Sequence, residues 1–231
     1  MSINDTSTSR RNFLGTLATG AAAISVGSLA TPLQSLANPY ESKKYADDAD
    51  AWISQIKSKK HKAVFDVTES RGIMPFAWPR IYLMTNEMTG SKPQDMAAVV
   101  VLRHEAIPYA MQDGLWSKYS FGKMFKADDP MTQQAAVRNA FYKPKADDFK
   151  VPGVGPVQIG INELQESGVL FGVCNVALTV YSAAAADAMK MNAADIKKEW
   201  EAGLLPGVKV LPSGVWGVTR AQEYGAAYVS V

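Results

Sequence analysis

An unbroken run of apolar residues at positions 96–102 constrains the fold more than any other segment of this chain. Its sequence, Met-Ala-Ala-Val-Val-Val-Leu, offers no polar residue to either face of a β-strand. A strand with one face in solvent alternates apolar and polar residues, whereas a central parallel strand is covered by helices on both faces and is apolar throughout. The run therefore predicts a central strand of a parallel sheet.

Strand-like and helix-like segments alternate along the rest of the chain. Short β-branched or apolar runs predict strands at residues 61–68, 168–173, 208–211 and 228–231. Apolar residues at helical spacing predict helices at residues 38–60, 81–88, 157–167, 175–190, 193–202 and 213–225. This alternation predicts an α/β fold, a parallel β-sheet of about five strands with helices on both faces.

Two segments are predicted to interrupt this alternation. Residues 71–79 contain Pro75 and Pro79, and we predict a loop there. Residues 106–156 are rich in aromatic and lysine side chains and are repeatedly interrupted by proline. We interpret residues 106–156 as an inserted loop and helical segment on a simpler core, with a helix near residues 132–142.

The N-terminal residues are typical of an export signal. Arg10 and Arg11 precede an uncharged run at residues 14–29, and Ser35-Leu36-Ala37 offers small residues for cleavage. Because paired arginines indicate the twin-arginine route, we expect a signal peptide at residues 1–37. We expect residues 38–231 to be a single periplasmic domain, with no membrane contact after cleavage. A membrane anchor or an ordinary exposed helix is the alternative interpretation.

A second uncharged run, at residues 169–186, approaches the length of a membrane-spanning helix. Polar residues at Asn175, Thr179 and Ser182 lower its hydrophobicity. We therefore interpret it as a buried strand, a turn and a helix.

The composition excludes several classes of protein. The chain has 24 basic and 22 acidic side chains, so its charge gives no reason to expect a nucleic-acid partner. Its single cysteine excludes an internal disulfide and a zinc site built from several thiolates. Its two histidines leave little material for a metal site, and no phosphate-binding loop, dinucleotide fingerprint or serine-nucleophile motif is present. We therefore expect no metal, no cofactor and no nucleic acid.

Cys174 is the leading candidate for chemistry because it lies between the strand at residues 168–173 and the helix at residues 175–190. Active sites of parallel α/β sheets collect at the carboxyl ends of strands. The unpaired amides and the dipole of a helix N-terminus, here around Asn175 and Val176, favour the nucleophilic thiolate. Cys174 is therefore predicted to be a nucleophile or sulfur carrier. The alternative is a small buried core residue, which is the common fate of a lone cysteine.

Two further candidates follow the central strand at residues 96–102. His104 would share the carboxyl edge of the sheet with Cys174, where it could act as a base or stabilise a thiolate. The alternative for His104 is a loop histidine bonded to the backbone. Arg103, together with Asn175 and Val176, is predicted to bind substrate at the same edge. His61 begins a strand at the opposite edge and is predicted to be structural.

The C-terminal half resembles a known family. Three segments match its pattern: GVLFGVCNVAL at residues 168–178, GVKVLPSGV at residues 207–215 and RAQEYGAAY at residues 220–228. Together with the strand at residues 97–102 and His104, they resemble the DsrE/DsrF family of sulfur-relay proteins. The resemblance covers residues 62–104 and 157–231. The chain departs from the best-understood, cytoplasmic members in its export signal and in the length of residues 106–156.

The resemblance implies a flavodoxin-like α/β fold and assembly into a homo-oligomer. It also implies a role for Cys174, because the matching cysteine of several members accepts and passes on sulfur as a persulfide. The first hypothesis is therefore an exported, sulfurtransferase-like carrier, with Cys174 loaded by a reduced sulfur compound or by a partner persulfide protein. The alternative is a non-catalytic periplasmic small-molecule-binding or oligomeric assembly module with a structural Cys174. In that alternative, aromatic residues of the insertion would bind a small molecule or another subunit: Tyr109, Trp116, Tyr119, Phe121 and Phe125.

Overall fold

The structure, a computed structural model, describes residues 39–151 and 153–231, with side chains from residue 45 onward. Residues 42–231 form one compact unit. The predicted export signal at residues 1–37 lies outside the described residues, as does its cleavage site.

Five parallel strands form the main sheet, in the order β6-β5-β2-β1-β7, and two short antiparallel strands form a separate ribbon. The strands are β1 (His61–Val67), β2 (Met96–Leu102), β3 (Lys150–Val151), β4 (Gly155–Pro156), β5 (Leu170–Cys174), β6 (Val208–Leu211) and β7 (Ala227–Ser230). The predicted sheet of about five parallel strands is confirmed. All seven residues of β2 are buried at its centre, between β1 and β5.

The helices occupy most of the connections between these strands. They are α1 (Pro39–Ser54), α2 (Met74–Met88), α3 (Asp113–Tyr119), α4 (Phe121–Met124), α5 (Ile161–Glu166), α6 (Asn175–Met189), α7 (Ala193–Ala202) and α8 (Gly214–Glu223). Short 3-10 helices lie at Pro93–Asp95 and His104–Ala110. The predictions for α6, α7, β2 and β6 agree with the structure to within one residue at each end.

The order of the strands places helices on both faces of the sheet. From β1 the chain steps through β2 and β5 to β6 in one direction, and it then returns to place β7 on the far side of β1. Right-handed crossovers put the helices of the forward steps on one face and the returning helix, α8, on the other. Two separate apolar cores result: Phe76, Leu178 and Trp200 pack on one face, and Ile53 and Val218 on the other.

The loop predicted at residues 71–79 is wrong, because α2 begins at Met74 and includes both prolines. Pro75 lies in the first turn, where a backbone N–H would have no intrahelical partner in any case. Pro79 lies within the helix and is buried, as are Phe76 and Leu83. Burial of this face outweighs the backbone hydrogen bond that Pro79 cannot donate.

The helix predicted near residues 132–142 is also wrong, because this segment consists of turns and bends. Gln133 has a φ of +57°, which no right-handed helix allows. The Ala136 amide instead donates to the Ala127 carbonyl at 2.9 Å, and the buried Asn139 amide donates to the carbonyls of Tyr109 and Met111. The helical part of the insertion lies earlier, in α3 and α4.

The aromatic side chains of the insertion are part of the core. The five that are predicted to bind a small molecule or another subunit are at most 5% exposed: Tyr109, Trp116, Tyr119, Phe121 and Phe125. They pack against one another and against Phe76 and Trp200, with ring centroids 5.0–5.7 Å apart in the closest pairs. Because these rings are enclosed, they offer no open surface. No finding tests whether these residues bind a small molecule or another subunit, and that stays a prediction.

Candidate active site at the carboxyl edge of the sheet

The chain changes direction at the carboxyl ends of β5 and β6. The connection after β5 enters α6 on one face of the sheet, whereas the connection after β6 enters α8 on the opposite face. Such a divergence opens the crevice in which open α/β sheets bind their ligands. Cys174, the last residue of β5, pairs in register with Leu211, the last residue of β6. The predicted position of Cys174 at a strand end is therefore confirmed.

Cys174 caps the N-terminus of α6. Its backbone is extended, with φ −74° and ψ 112°, and its Sγ accepts a hydrogen bond from the Ala177 amide at 3.3 Å. This places the sulfur where a capping oxygen of serine or aspartate usually lies. The residue is 7% exposed, so small reagents have limited access to the sulfur and bulky ones have less.

The two residues after Cys174 form the first turn of α6. Asn175 is 6% exposed, and its Oδ1 has no hydrogen-bond partner among the described residues. Val176 is half-buried. The amides of a first helical turn have no intrahelical acceptor, so both residues stand where the sequence predicted stabilising N–H groups.

Arg103 lies beside Cys174 on the neighbouring strand. Leu102 pairs with Val173 in the parallel register of β2 and β5, so Arg103 and Cys174 follow at adjacent positions. The guanidinium donates from Nε to Oδ1 of Asp66 at 2.6 Å and from Nη2 to Oδ2 at 2.8 Å. The Asp66 carboxylate is 4% exposed, whereas the Arg103 side chain is 28% exposed. The ion pair therefore presents its cation to solvent and buries its anion.

The pKa of the Arg103 guanidinium is raised above its ordinary value, chiefly by the hydrogen bond to Asp66. Charge interactions with Asp66, Tyr228 and Cys174 raise it further, against a lowering by burial. The Tyr228 hydroxyl donates to Oδ2 of Asp66 at 2.9 Å, and this hydrogen bond is the main reason that the pKa of Tyr228 is raised. Arg103, Asp66, Tyr228 and Cys174 are thus one electrostatic cluster.

His104 is oriented by α6. Its backbone has a φ of +52°, a conformation that costs energy for a residue other than glycine. Its Nδ1 shares a hydrogen bond of 2.5 Å with the Tyr181 hydroxyl, seven residues beyond Cys174 on α6. The pKa of Tyr181 is raised, mainly by burial and also by Glu105, so its hydroxyl remains protonated at neutral pH. His104 thus lies at the predicted edge, with Nδ1 turned toward Tyr181.

Two other polar residues and a cleft lie away from Cys174. His61 begins β1 at the amino edge, as predicted. Arg80 donates to the carbonyls of Gln158 and Glu163 and thereby binds α2 to the segment around α5. A cleft of about 150 Å³ lies in the insertion, between residues 144–149 and 156–163, and Cys174 does not line it.

Asp66 and Tyr228 are not among the site residues predicted from the sequence. Asp66 is the single acidic residue in the otherwise largely apolar strand β1. A carboxylate inside a buried strand requires a partner, and this signal was available from the sequence. Tyr228 gave no comparable signal, because its contact with Asp66 depends on β7 pairing beside β1.

Among the described residues, no group of three His, Cys, Asp or Glu side chains could hold a metal ion. The same part of the chain contains no helix with the length and apolar character needed to cross a membrane; the uncharged run at residues 169–186 divides into β5 and α6, as predicted. No protein-family model and no curated protein matches the chain.

Proposed function

We propose that this protein is an exported, DsrE-like carrier of reduced sulfur in which Cys174 forms a persulfide. The observation that supports the proposal best is the position of Cys174 Sγ at the N-terminus of α6, at the end of the strand next to the one that Arg103 follows. Helix N-termini and nearby cations both favour a thiolate over a thiol. The resemblance to DsrE/DsrF proteins, the twin-arginine signal and a periplasmic location are parts of the same proposal.

The proposed chemistry requires one nucleophile. The Cys174 thiolate attacks the sulfane sulfur of a donor, a new S–S bond forms, and the donor's S–S bond breaks with its electron pair on the leaving group. When thiosulfate is the donor, the leaving group is sulfite. When a partner persulfide protein is the donor, the leaving group is the partner's cysteine thiolate. The product is a Cys174 persulfide, which can pass its outer sulfur to an acceptor without a second cysteine in this chain.

The other site residues have supporting roles in this proposal. The first-turn amides at Asn175 and Val176 stabilise the thiolate and the persulfide anion. Arg103 binds the substrate. His104, at the same edge of the sheet, acts as a base or stabilises the thiolate.

Mass spectrometry of the folded protein tests the carrier proposal. We expect a gain of one sulfur atom, on the order of 32 Da, after exposure to thiosulfate or a low-molecular-weight persulfide, and removal of that mass by a reductant or by cyanide. Cys174→Ser keeps a capping side chain and should gain no mass. If wild type gains no sulfur from either donor, or if Cys174→Ser gains as much, the carrier proposal is wrong.

A second candidate function, assembly as a homo-oligomer, is favoured by one exposed surface. Five apolar side chains on α2 are at least 38% exposed: Met74, Trp78, Ile81, Met84 and Met88. At about 100° per residue they fall within an arc of about 120° on one helix face. Because none of them carries a charge, two copies of this α2 face can pack together without repulsion, and exposed apolar patches of this kind often mark subunit interfaces.

The oligomeric state of the protein tests the assembly candidate. We expect light scattering of the purified protein to report a dimer or larger species, and Trp78→Glu together with Ile81→Glu to convert it to a monomer. Val137→Glu, at a residue that is 69% exposed elsewhere on the surface, is the matched control. A monomeric wild type, or an oligomer that the α2 substitutions leave intact, would count against this surface.

A further inference from the structure

We infer that the outward edge of the Arg103 guanidinium, anchored by Asp66, is a recognition site for an oxyanion beside Cys174. This inference rests on the proposed function and specifies its substrate class: sulfur donors with an anionic sulfonate-type leaving group, of which thiosulfate is the simplest. Uncharged donors lack the group that this site would bind.

The hydrogen bonds to Asp66 determine which part of Arg103 is available. Nε and one N–H of Nη2 point at the carboxylate, at 2.6 Å and 2.8 Å. Nη1 has no hydrogen-bond acceptor among the described residues. Because the guanidinium is planar and its donors form a rigid fork, the Nη1 edge faces away from Asp66. That edge can donate two parallel hydrogen bonds to an oxyanion.

The surroundings keep the guanidinium in place. Asp66 also accepts from Tyr228 at 2.9 Å, so the carboxylate is held from two sides. The aliphatic stem of Arg103 lies against the first residue of α8, since a Cβ added at Gly214 would come within 2.5 Å of Arg103 Cβ and 2.6 Å of Cδ. Glycine at position 214 therefore allows the stem to pass, and Asp66 sets its direction.

The same contact brings a second helix N-terminus to the site. α8 begins at Gly214, and its N-cap Ser213 accepts from the Trp216 amide at 3.1 Å. The earlier amides of the helix, at Gly214 and Val215, have no intrahelical acceptor. A cation and a helix N-terminus repel each other weakly when the site is empty, and both attract an anion that lies between them.

The location relative to Cys174 gives this anion site a role in sulfur transfer. Arg103 and Cys174 directly follow Leu102 and Val173, the last register pair of β2 and β5, and neighbouring strands are about 5 Å apart. In thiosulfate, the sulfane sulfur is bonded directly to the sulfonate sulfur. Binding of the sulfonate oxygens at Arg103 would present the sulfane sulfur to the thiolate. As sulfite leaves with the electron pair of the broken S–S bond, the guanidinium would stabilise the negative charge that grows on the sulfite oxygens.

Matched thiol reagents of opposite charge test the anion site independently of sulfur loading. Sulfonatoethyl methanethiosulfonate is anionic and trimethylammonioethyl methanethiosulfonate is cationic, and both modify a thiolate by the same reaction. We expect Cys174 in the folded protein to react about tenfold faster with the anionic reagent, and Arg103→Gln to bring the ratio of the two rates close to one. Thiosulfate loading should fall about tenfold in the same variant, while loading by an uncharged trisulfide changes little.

Controls separate the anion site from a general effect on folding or charge. Arg71→Gln removes an exposed arginine that pairs with Glu69 and should leave the rate ratio unchanged. If Arg103→Gln fails to fold, wild type still provides a test, because sulfate should slow Cys174 labelling more than sodium chloride of equal ionic strength does.

The outcomes distinguish the two proposals. A rate ratio that Arg103→Gln does not change, or labelling that sulfate slows no more than chloride does, overturns the anion site and leaves the carrier proposal standing if sulfur still loads. If the charge preference depends on Arg103 but the protein gains no sulfur from any donor, the anion site is supported and the carrier proposal is overturned.

Discussion

Asp66 and Arg103 form a two-point ion pair that joins the carboxyl ends of β1 and β2. The Nε–Oδ1 and Nη2–Oδ2 distances are 2.6 Å and 2.8 Å, and the carboxylate is buried. A buried carboxylate is costly without such a partner. This pair lies one strand away from Cys174, and its integrity therefore matters both for stability and for the candidate site.

Loss of the Asp66 charge should destabilise the protein strongly. Asp66→Asn leaves the guanidinium partly buried without a counter-charge, and we expect the free energy of unfolding to fall by about 3 kcal/mol. Glu69→Gln breaks an exposed pair with Arg71 and should cost less than about 1 kcal/mol. Urea unfolding of both variants checks this prediction. If both lose the same free energy of unfolding, the buried pair stabilises the protein no more than the exposed pair does.

Substitutions at Cys174 should separate its capping role from its chemistry. Cys174→Ala removes the acceptor of the Ala177 amide, and we expect a loss of about 1 kcal/mol in unfolding free energy. Cys174→Ser retains an acceptor and should be the more stable variant, although neither can form a persulfide. Thermal and urea unfolding measure the difference. An alanine variant as stable as the serine variant would mean that the cap contributes little.

Two glycines in the insertion should respond in opposite ways to alanine. A Cβ at Gly122 would lie 2.2 Å from the backbone N of Ala136 and 2.3 Å from its carbonyl oxygen, and backbone atoms cannot yield cheaply. We expect Gly122→Ala to cost about 3 kcal/mol or to prevent folding. Gly114, in α3, has nothing within 4 Å of its added Cβ, so Gly114→Ala should be neutral or stabilising by up to about 1 kcal/mol. Midpoints of thermal unfolding give the comparison.

The buried phenol of Tyr109 should make the protein sensitive to alkali. Burial raises the pKa of Tyr109 to about 12. The hydrogen bond with Ser70 lowers this pKa, and the charge of Asp128 raises it further. The unfolded chain loses this proton near pH 10, whereas the folded protein keeps it. The contribution of Tyr109 is therefore fully present below pH 10 and is lost as the pH rises toward 12, in total about 3 kcal/mol.

Unfolding measured across that pH range, in wild type and in Tyr109→Phe, tests this assignment. The phenylalanine variant should lose stability less steeply between pH 10 and 12, because it has no phenol at position 109 to titrate. If the free energy of unfolding falls equally in the two proteins, the loss of stability in alkali is caused by other tyrosines.

The pattern of apolar residues was sufficient to predict the sheet. β2 and β6 are predicted with their observed bounds, and α6 and α7 to within one residue. β2 is a continuous apolar run and α6 is alanine-rich, whereas α7 carries its buried Ile196 and Trp200 at helical spacing. The loop predicted at residues 71–79 was wrong because local rules for proline do not include the burial of Phe76 and Leu83, which stabilises α2. The helix predicted at residues 132–142 was wrong because Asn139 and Ala136 bond to distant backbone groups.

Some features of the candidate site can be predicted from the sequence, and others depend on the tertiary structure. Its local features, a cysteine at a strand-to-helix junction and polar residues after β2, follow from the sequence because they depend on neighbouring residues. The cluster around Cys174 does not. Tyr228 meets Asp66 across 162 positions of sequence, and Gly214 meets the stem of Arg103 only because α8 returns over the opposite face of the sheet. The sequence alone determined the strands of the main sheet, the helix that begins after Cys174 and the position of that cysteine between strand and helix. The order of the strands, which results from long-range packing, decided which charges surround Cys174.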